Sequence, residues 1–368
     1  MSLAVQPDSL DGYARQVSRA AEDSAAVKDY LGGFPTPTGL DGGGLIYAIG
    51  SSHGEAMTAA IGATTRVSEV LGASETGLMS AARYYRTADS ASAARMDGSL
   101  TAGRPPARDS RLDQQWAADP CPPSFTDSRD PNGRLIPVAD VEYSHPLGFM
   151  DNLSISSWAL KGFQEVLGFN PLERVLEHFA GDWQSIARGG VALGRAGEAM
   201  QDLGYNVQGG AIALRDDWTG RAADMAFTHF TRLAHGAADM HDPLKEMAKR
   251  FGEIAHGVWS TCEAVSGIIK SMIDAAIVAG IAAAAGTVTA VSGVGAVVGY
   301  GVAAVEVANI LHMWAQATKA IQALYGLVQG AVGMIEAQVT RLRDVTIQNM
   351  SGYTSYRHPM VPDSVGVH

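Results

Sequence analysis

The chain has 368 residues, enough for two or three domains with sizeable buried cores. Hydrophobic residues make up 46% but aromatic ones only 7%, so alanine and glycine carry much of the apolar content and favour closely packed helices over an aromatic-rich β-sandwich. Lys and Arg number 27 against 38 Asp and Glu, and the charge of −11 argues against a nucleic-acid binder, because phosphate contact needs a basic surface.

In chain order, the first element expected is a helix over residues 8–32. There Leu10, Ala14, Val17, Ala21 and Leu31 recur at helical spacing, and Asp8 or Ser9 can cap the first turn. The run LGGFPTPTGLDGGG (31–44) ends it, because proline and glycine break the backbone ladder. A second helix is expected from near Ser52, which forms a Ser-x-x-Glu capping box with Glu55. Along it Met57, Ala60, Thr64, Val67, Leu71, Ser74, Leu78, Ala81, Tyr85 and Ala88 alternate three and four apart, the seam of a helix packed lengthwise on another. Two helices joined by a Gly/Pro loop make a hairpin that buries one narrow stripe, so a partner hairpin is expected.

Between residues 99 and 150 lie eight of the 15 prolines, among Asp, Ser and Arg, which reads as a connector; LIPVADVEY (135–143) suits a short strand. Helical pattern returns after Pro171 and runs to about Leu214, where Asp217-Trp218-Thr219-Gly220 interrupts it. A second seam then runs from Ala226 to Met272, with a kink or short break expected at Pro243. Residues Ala275 to Val305 hold no charge over 31 positions and include Gly286, Gly293, Gly295 and Gly299. This run is long enough to span a bilayer, and Gly295-x-x-x-Gly299 suits close helix contact. The competing expectation is two short helices that turn near Gly286 or Gly293, enclosed by neighbouring seams. A last helix is expected over about Glu306 to Asp344, and the stretch from Ser351 reads as a flexible tail, or as cut from something longer. The organisation expected is an all-α chain of long helical hairpins: hairpin 1–98, Pro-rich connector 99–150, second hairpin 151–273, apolar helical region 274–350 and tail 351–368.

Tyr85-x-x-x-Asp89, in AARYYRTAD (81–89), closes the first seam; a spacing of four places both side chains on one helical face at its rim. Together with VQPDSLDGYARQVSRAAEDSAAV, this region resembles the EspC-like family of proteins exported by actinobacterial type VII (ESX) secretion, over about residues 3–95. The resemblance implies a helical hairpin ending in a Tyr-x-x-x-Asp/Glu export signal, here Tyr85 and Asp89. Trp218-Thr219-Gly220 is similar to the Trp-x-Gly turn of such substrates, in which Trp218 and Gly220 would shape the hairpin tip. One element in each half resembles a fused pair, such as EspB or a PE–PPE pair, with the long Pro-rich insert as the departure. The function this implies is export followed by an oligomerising or membrane-active, non-enzymatic role. An alternative is the delivery module of a larger toxin whose catalytic domain would follow His368. The partners implied are a secretion ATPase, a dedicated chaperone or small helical-hairpin partner, a second copy and a membrane. The location implied is secreted or bound to the cell envelope.

Other motifs are weaker. Gly50-Ser51-Ser52-His53-Gly54 matches a nucleophile pattern that needs a strand before it and a helix after it, whereas its surroundings read as helical. His235, Asp239 and Asp242 with His229 and His241 do not make a four-ligand set at usual spacing, and no phosphate-cradling glycine loop is present. No cofactor, metal or catalytic constellation is expected. Cys121 and Cys262 permit at most one bridge, and MSLAVQPDSLDGYARQ lacks the basic start and apolar run of a secretory signal peptide.

Overall fold

The computed structural model describes residues 3–36, 44–101, 125–140, 157–288, 294–350 and 355–361. The chain is an all-α bundle of long helices with a single two-residue strand pair among the described residues. The helices are α1 (Pro7–Gly32), α2 (Gly44–Thr87), α3 (Ser90–Ser99), α4 (Ser157–Leu167), α5 (Pro171–Phe179), α6 (Trp183–Asp217), α7 (Arg221–Ala238), α8 (His241–Val288) and α9 (Val294–Met350). The strands are β1 (Ala4–Val5) and β2 (Trp218–Thr219), paired antiparallel with Ala4 opposite Thr219 and Val5 opposite Trp218.

Helices α1 and α2 form the expected hairpin, and the α2 seam from Met57 to Tyr85 is buried at every position named above. The hairpin packs on α6 mainly through α1 and on α9 through α2, and residues 202–211 of α6 are buried without a break. A helix buried on all faces must be enclosed by neighbours, and here α1, α7 and α8 supply them. Small residues make that possible. A Cβ on Gly210 would lie 2.5 Å from the Tyr13 ring, so α1 crosses α6 in near-backbone contact, and the Tyr13 hydroxyl donates to the Val207 carbonyl at 2.9 Å.

Segment 125–140 of the connector is strapped across α1 and α6 by side chains. Arg19 pairs with Asp127 at 2.6 Å, Arg134 with the buried Asp202 at 2.7 Å, and Asn206 bonds both the backbone N–H and carbonyl of Arg129. The strand expected over 135–143 is not formed at 135–140, and 141–143 lie outside the described residues. Pro137 removes a ladder donor, and Tyr30 and Arg195 donate instead to the Ile136 carbonyl.

Other boundaries also differ from expectation. Neither Asp8 nor Ser9 caps α1, which starts at Pro7 after an extended Gln6; Asp8 pairs with Arg86 of α2, and Ser9 donates to Asp217 of α6 at 2.6 Å. Helix α2 starts at Gly44, not near Ser52, because Leu45, Ile46 and Ile49 bury themselves and extend it backward. Ser52 is therefore a buried mid-helix residue, and Gly50–Gly54 lacks the strand that a nucleophile turn requires. Pro243 falls in the first turn of α8, after a break at Asp239 and Met240, where its missing N–H costs nothing.

The uncharged run divides between two long helices rather than two short ones. Gly286 lies within α8, Gly295 and Gly299 within α9, and Gly293 outside the described residues. Helix α8 runs antiparallel to α6, Phe251 lying beside Gly190, and continues past the start of α6. Ile277, Val278, Val302 and Val305 are 39–67% exposed, so the expected enclosure is absent at these positions. Among the described residues no helix is long and apolar enough to cross a membrane.

Leu71 and Leu78 are fully buried in the seam. Truncation of either to alanine is expected to cost roughly 2–5 kcal/mol in chemical denaturation, and a wild-type midpoint for the double variant would contradict this packing. A second expectation follows from His53, which lies between α6 and α8, 5.3 Å from the Phe251 ring, with no partner for either ring nitrogen. Burial lowers its pKa to about 4 from an ordinary 6.5. Between these values the unfolded chain binds the proton and the folded chain does not. Its contribution is therefore complete above about pH 6.5 and is lost as pH falls to about 4, a change of about 3 kcal/mol. Denaturation midpoints measured across that window should fall more steeply for wild type than for His53→Leu.

Candidate functional site

At the end of the bundle where α2 stops and α6 turns into α7, the two motifs of the halves meet. Tyr85 sits in the last turn of α2 and is buried, with its ring 6.0 Å from that of Trp218 at 72°. Trp218, 1% exposed, is held by the β1–β2 pairing in the turn between α6 and α7. Burial raises the Tyr85 hydroxyl pKa, so the phenol is neutral.

Gly220 has φ 124°, a conformation that L side chains rarely adopt, and a Cβ there would lie 2.8 Å from the Asp97 carboxylate. That carboxylate, from α3, accepts the backbone N–H of Arg221 and of Ala222, each at 2.9 Å, and so caps α7 from another helix. Arg221 in turn donates to the Gly98 and Leu100 carbonyls. The turn is therefore closed by the segment that follows Tyr85.

Asp89 departs from the expected arrangement. It is not one turn beyond Tyr85 on the same face, because α2 ends at Thr87 and Asp89 caps α3, accepting the Ser92 N–H at 2.8 Å. An aspartate followed by small residues satisfies orphan amides better as a cap than within a helix. Its pKa is held below the ordinary carboxylate value by that backbone hydrogen bond, and it stays exposed. Tyr85 points inward and Asp89 outward. Nor is Tyr85 a rim residue, since it is enclosed by Trp218, Tyr84 and His358.

His358 belongs to the stretch expected to be a flexible tail. Residues 355–361 instead lie against α2 and α7, with Tyr356, His358 and Met360 buried. The Tyr356 N–H donates to Ser74 Oγ at 2.9 Å, and the His358 ring stacks on Trp218 at 5.9 Å and 21°. Asp97, Ser74, His229 and His358 were not singled out for this site from the sequence. The signal available was the alternation of Tyr356, His358 and Met360, a period of two that suits an extended segment with one buried face.

Elsewhere, an open cleft of about 1050 Å³ lies between α6, α8 and α9. Several of its charges are paired, Lys245 with Glu198 and Arg250 with Glu246 and Glu253. His235, Asp239 and Asp242 form no metal-holding group; none of three or more His, Cys, Asp and Glu occurs among the described residues. Cys262 is a buried thiol on α8 with its pKa raised to about 12, and Cys121 lies outside the described residues.

Comparison of the chain with protein-family models, with curated proteins and with solved structures yields no match.

The three acidic and aromatic positions separate by denaturation. Asp97→Ala should cost roughly 2–3 kcal/mol, because two buried charge-assisted bonds are lost; exposed Asp89→Ala should cost about 1 kcal/mol; Tyr85→Ala should cost roughly 3 kcal/mol or more. Equal losses at Asp89 and Asp97 would contradict the capping geometry.

Proposed function

We propose that this chain is a substrate of type VII (ESX) secretion in an actinobacterium, acting after export as an oligomerising or membrane-active protein without enzymatic chemistry. The observation that supports it best is the contact of Tyr85 with Trp218. The two residues come from different hairpins, and each belongs to a motif that resembles a type VII element. In the EspC-like family and in PE–PPE pairs such elements come from hairpin partners that meet in a four-helix bundle. Here one chain supplies both, so a separate hairpin partner would be dispensable for forming the tip.

Exposed Asp89 beside a closed, aromatic-lined tip leaves a carboxylate for a secretion ATPase or chaperone to read. The membrane-active role draws support from the opposite end of the bundle, where Ile277, Val278, Val302 and Val305 are exposed on α8 and α9. Apolar surface left uncovered in water favours transfer to another apolar environment.

Export is tested by the ratio of protein in culture filtrate to protein in the cell pellet. Asp89→Ala is expected to abolish export while circular dichroism stays near wild type and stability falls only by the roughly 1 kcal/mol of the lost cap. Normal export of a folded Asp89→Ala chain would remove Asp89 from any signal.

A further inference from the structure

Residues 355–361 occupy a groove that is shaped for them. Tyr356, His358 and Met360 are 3–4% exposed and point inward, while Arg357 between them is exposed, the alternation of an extended peptide. The groove is built by Ser74, Gly77 and Tyr85 of α2, His229 and Phe230 of α7, and Trp218 of β2. Gly77 is the telling position. Glycine within a helix is about 1 kcal/mol less favourable than alanine, yet a Cβ at Gly77 would collide with the Tyr356 carbonyl. Its missing side chain is what lets the segment's backbone lie on α2.

The bonding of His358 requires a neutral ring. Its Nδ1 accepts the Met360 N–H at 3.3 Å, so the ring proton sits on Nε2, which lies 3.1 Å from the Tyr85 hydroxyl. A second proton would fall on Nδ1, against an N–H that already points at it, and would bury a charge between Trp218, Tyr84 and Tyr85. We propose that Ser355–Val361 is an acid-released strap, an extended peptide that masks the Tyr85–Trp218 face at neutral pH and leaves the groove when His358 takes its second proton.

The charged and titratable groups around the strap act in both directions. Asp97 of α3 favours the protonated ring of His358, burial opposes it more strongly, and the resulting pKa is about 4. His229, which faces Ser74 and the Tyr356 ring, is likewise lowered to about 4 by burial and by Arg232. The phenols of Tyr85 and Tyr356, raised by burial, do not ionise in this range. Once released, His358 returns to an ordinary value near 6.5, so docking weakens as pH falls from about 6.5 to about 4. From pH 7.5 to 4.5 this one group weakens docking roughly 100-fold. The strap controls access to the aromatic face whether or not the chain is exported.

The test is hydrogen exchange on the purified full chain, corrected for intrinsic rates. Protection of the Tyr356 amide should fall roughly 100-fold between pH 7.5 and 4.5 while α6 stays protected. Gly77→Ala should free residues 355–361 at pH 7.5 with helix content unchanged. His358→Phe, or His358→Gln where the phenyl ring does not seat, should keep the segment protected at pH 4.5. Four results would each overturn the strap: unchanged wild-type protection, loss only together with α6, a protected segment in Gly77→Ala, or acid release from a docked His358 variant.

Discussion

The constraint on which the rest of the structure depends is the complete burial of one segment of α6. Its residues 202–211 have no exposed face, so the elements around it must approach almost to backbone contact. Glycine and alanine at the crossings remove the side-chain layer that normally separates helices by 8–10 Å. Without α6 the α1–α2 hairpin would expose the apolar stripe that α6 and its neighbours cover. Two of the polar side chains that α6 buries, Asp202 and Asn206, are matched by Arg134 and the Arg129 backbone from the connector. A proline-rich stretch with little capacity for regular structure thus satisfies groups that would otherwise be buried unpaired.

The tip of the bundle is closed by charge and hydrogen bonding as well as by aromatic packing. Asp97 supplies the anion that the N-terminus of α7 attracts, and the missing side chain of Gly220 leaves room for that carboxylate. Arg86 joins α2 to Asp8 and Asp11 of α1 at the same end. Tyr85, Trp218 and His358 then fill the space between these polar clamps. Each ring presents an edge or a face to another, the arrangement that ring quadrupoles favour. The opposite end of α8 and α9 has no comparable clamp among the described residues, and its valines and isoleucine stay in water.

Three buried imidazoles, His53, His229 and His358, share one electrostatic consequence: each is neutral in the folded chain at neutral pH. His53 ties this to the core between α6 and α8, and the other two tie it to the groove at the tip. Acid therefore acts on two separate parts of the molecule through the same chemistry, the cost of burying a second ring proton.

Periodicity in the sequence determined the helical class, the α1–α2 hairpin and the seam of α2, while Pro243 marked a break close to the start of α8 and the Asp217-Trp218-Thr219-Gly220 run marked the interruption at Trp218. These depend on neighbours three or four residues apart, and such contacts are set locally. What the sequence could not decide was where competing local signals yield to burial. Ser52 and Glu55 spell a cap, but Leu45, Ile46 and Ile49 carried the helix through it, because apolar area removed from water outweighs about 1 kcal/mol of capping. Tyr85 and Asp89 share a spacing but not a helix, since Asp89 gains more as the cap of α3 than as its next residue. The meeting of Tyr85, Trp218 and His358 lay beyond any local pattern: they are separated by more than a hundred residues each, and only the packing of α2, α7 and the 355–361 segment brings their rings together.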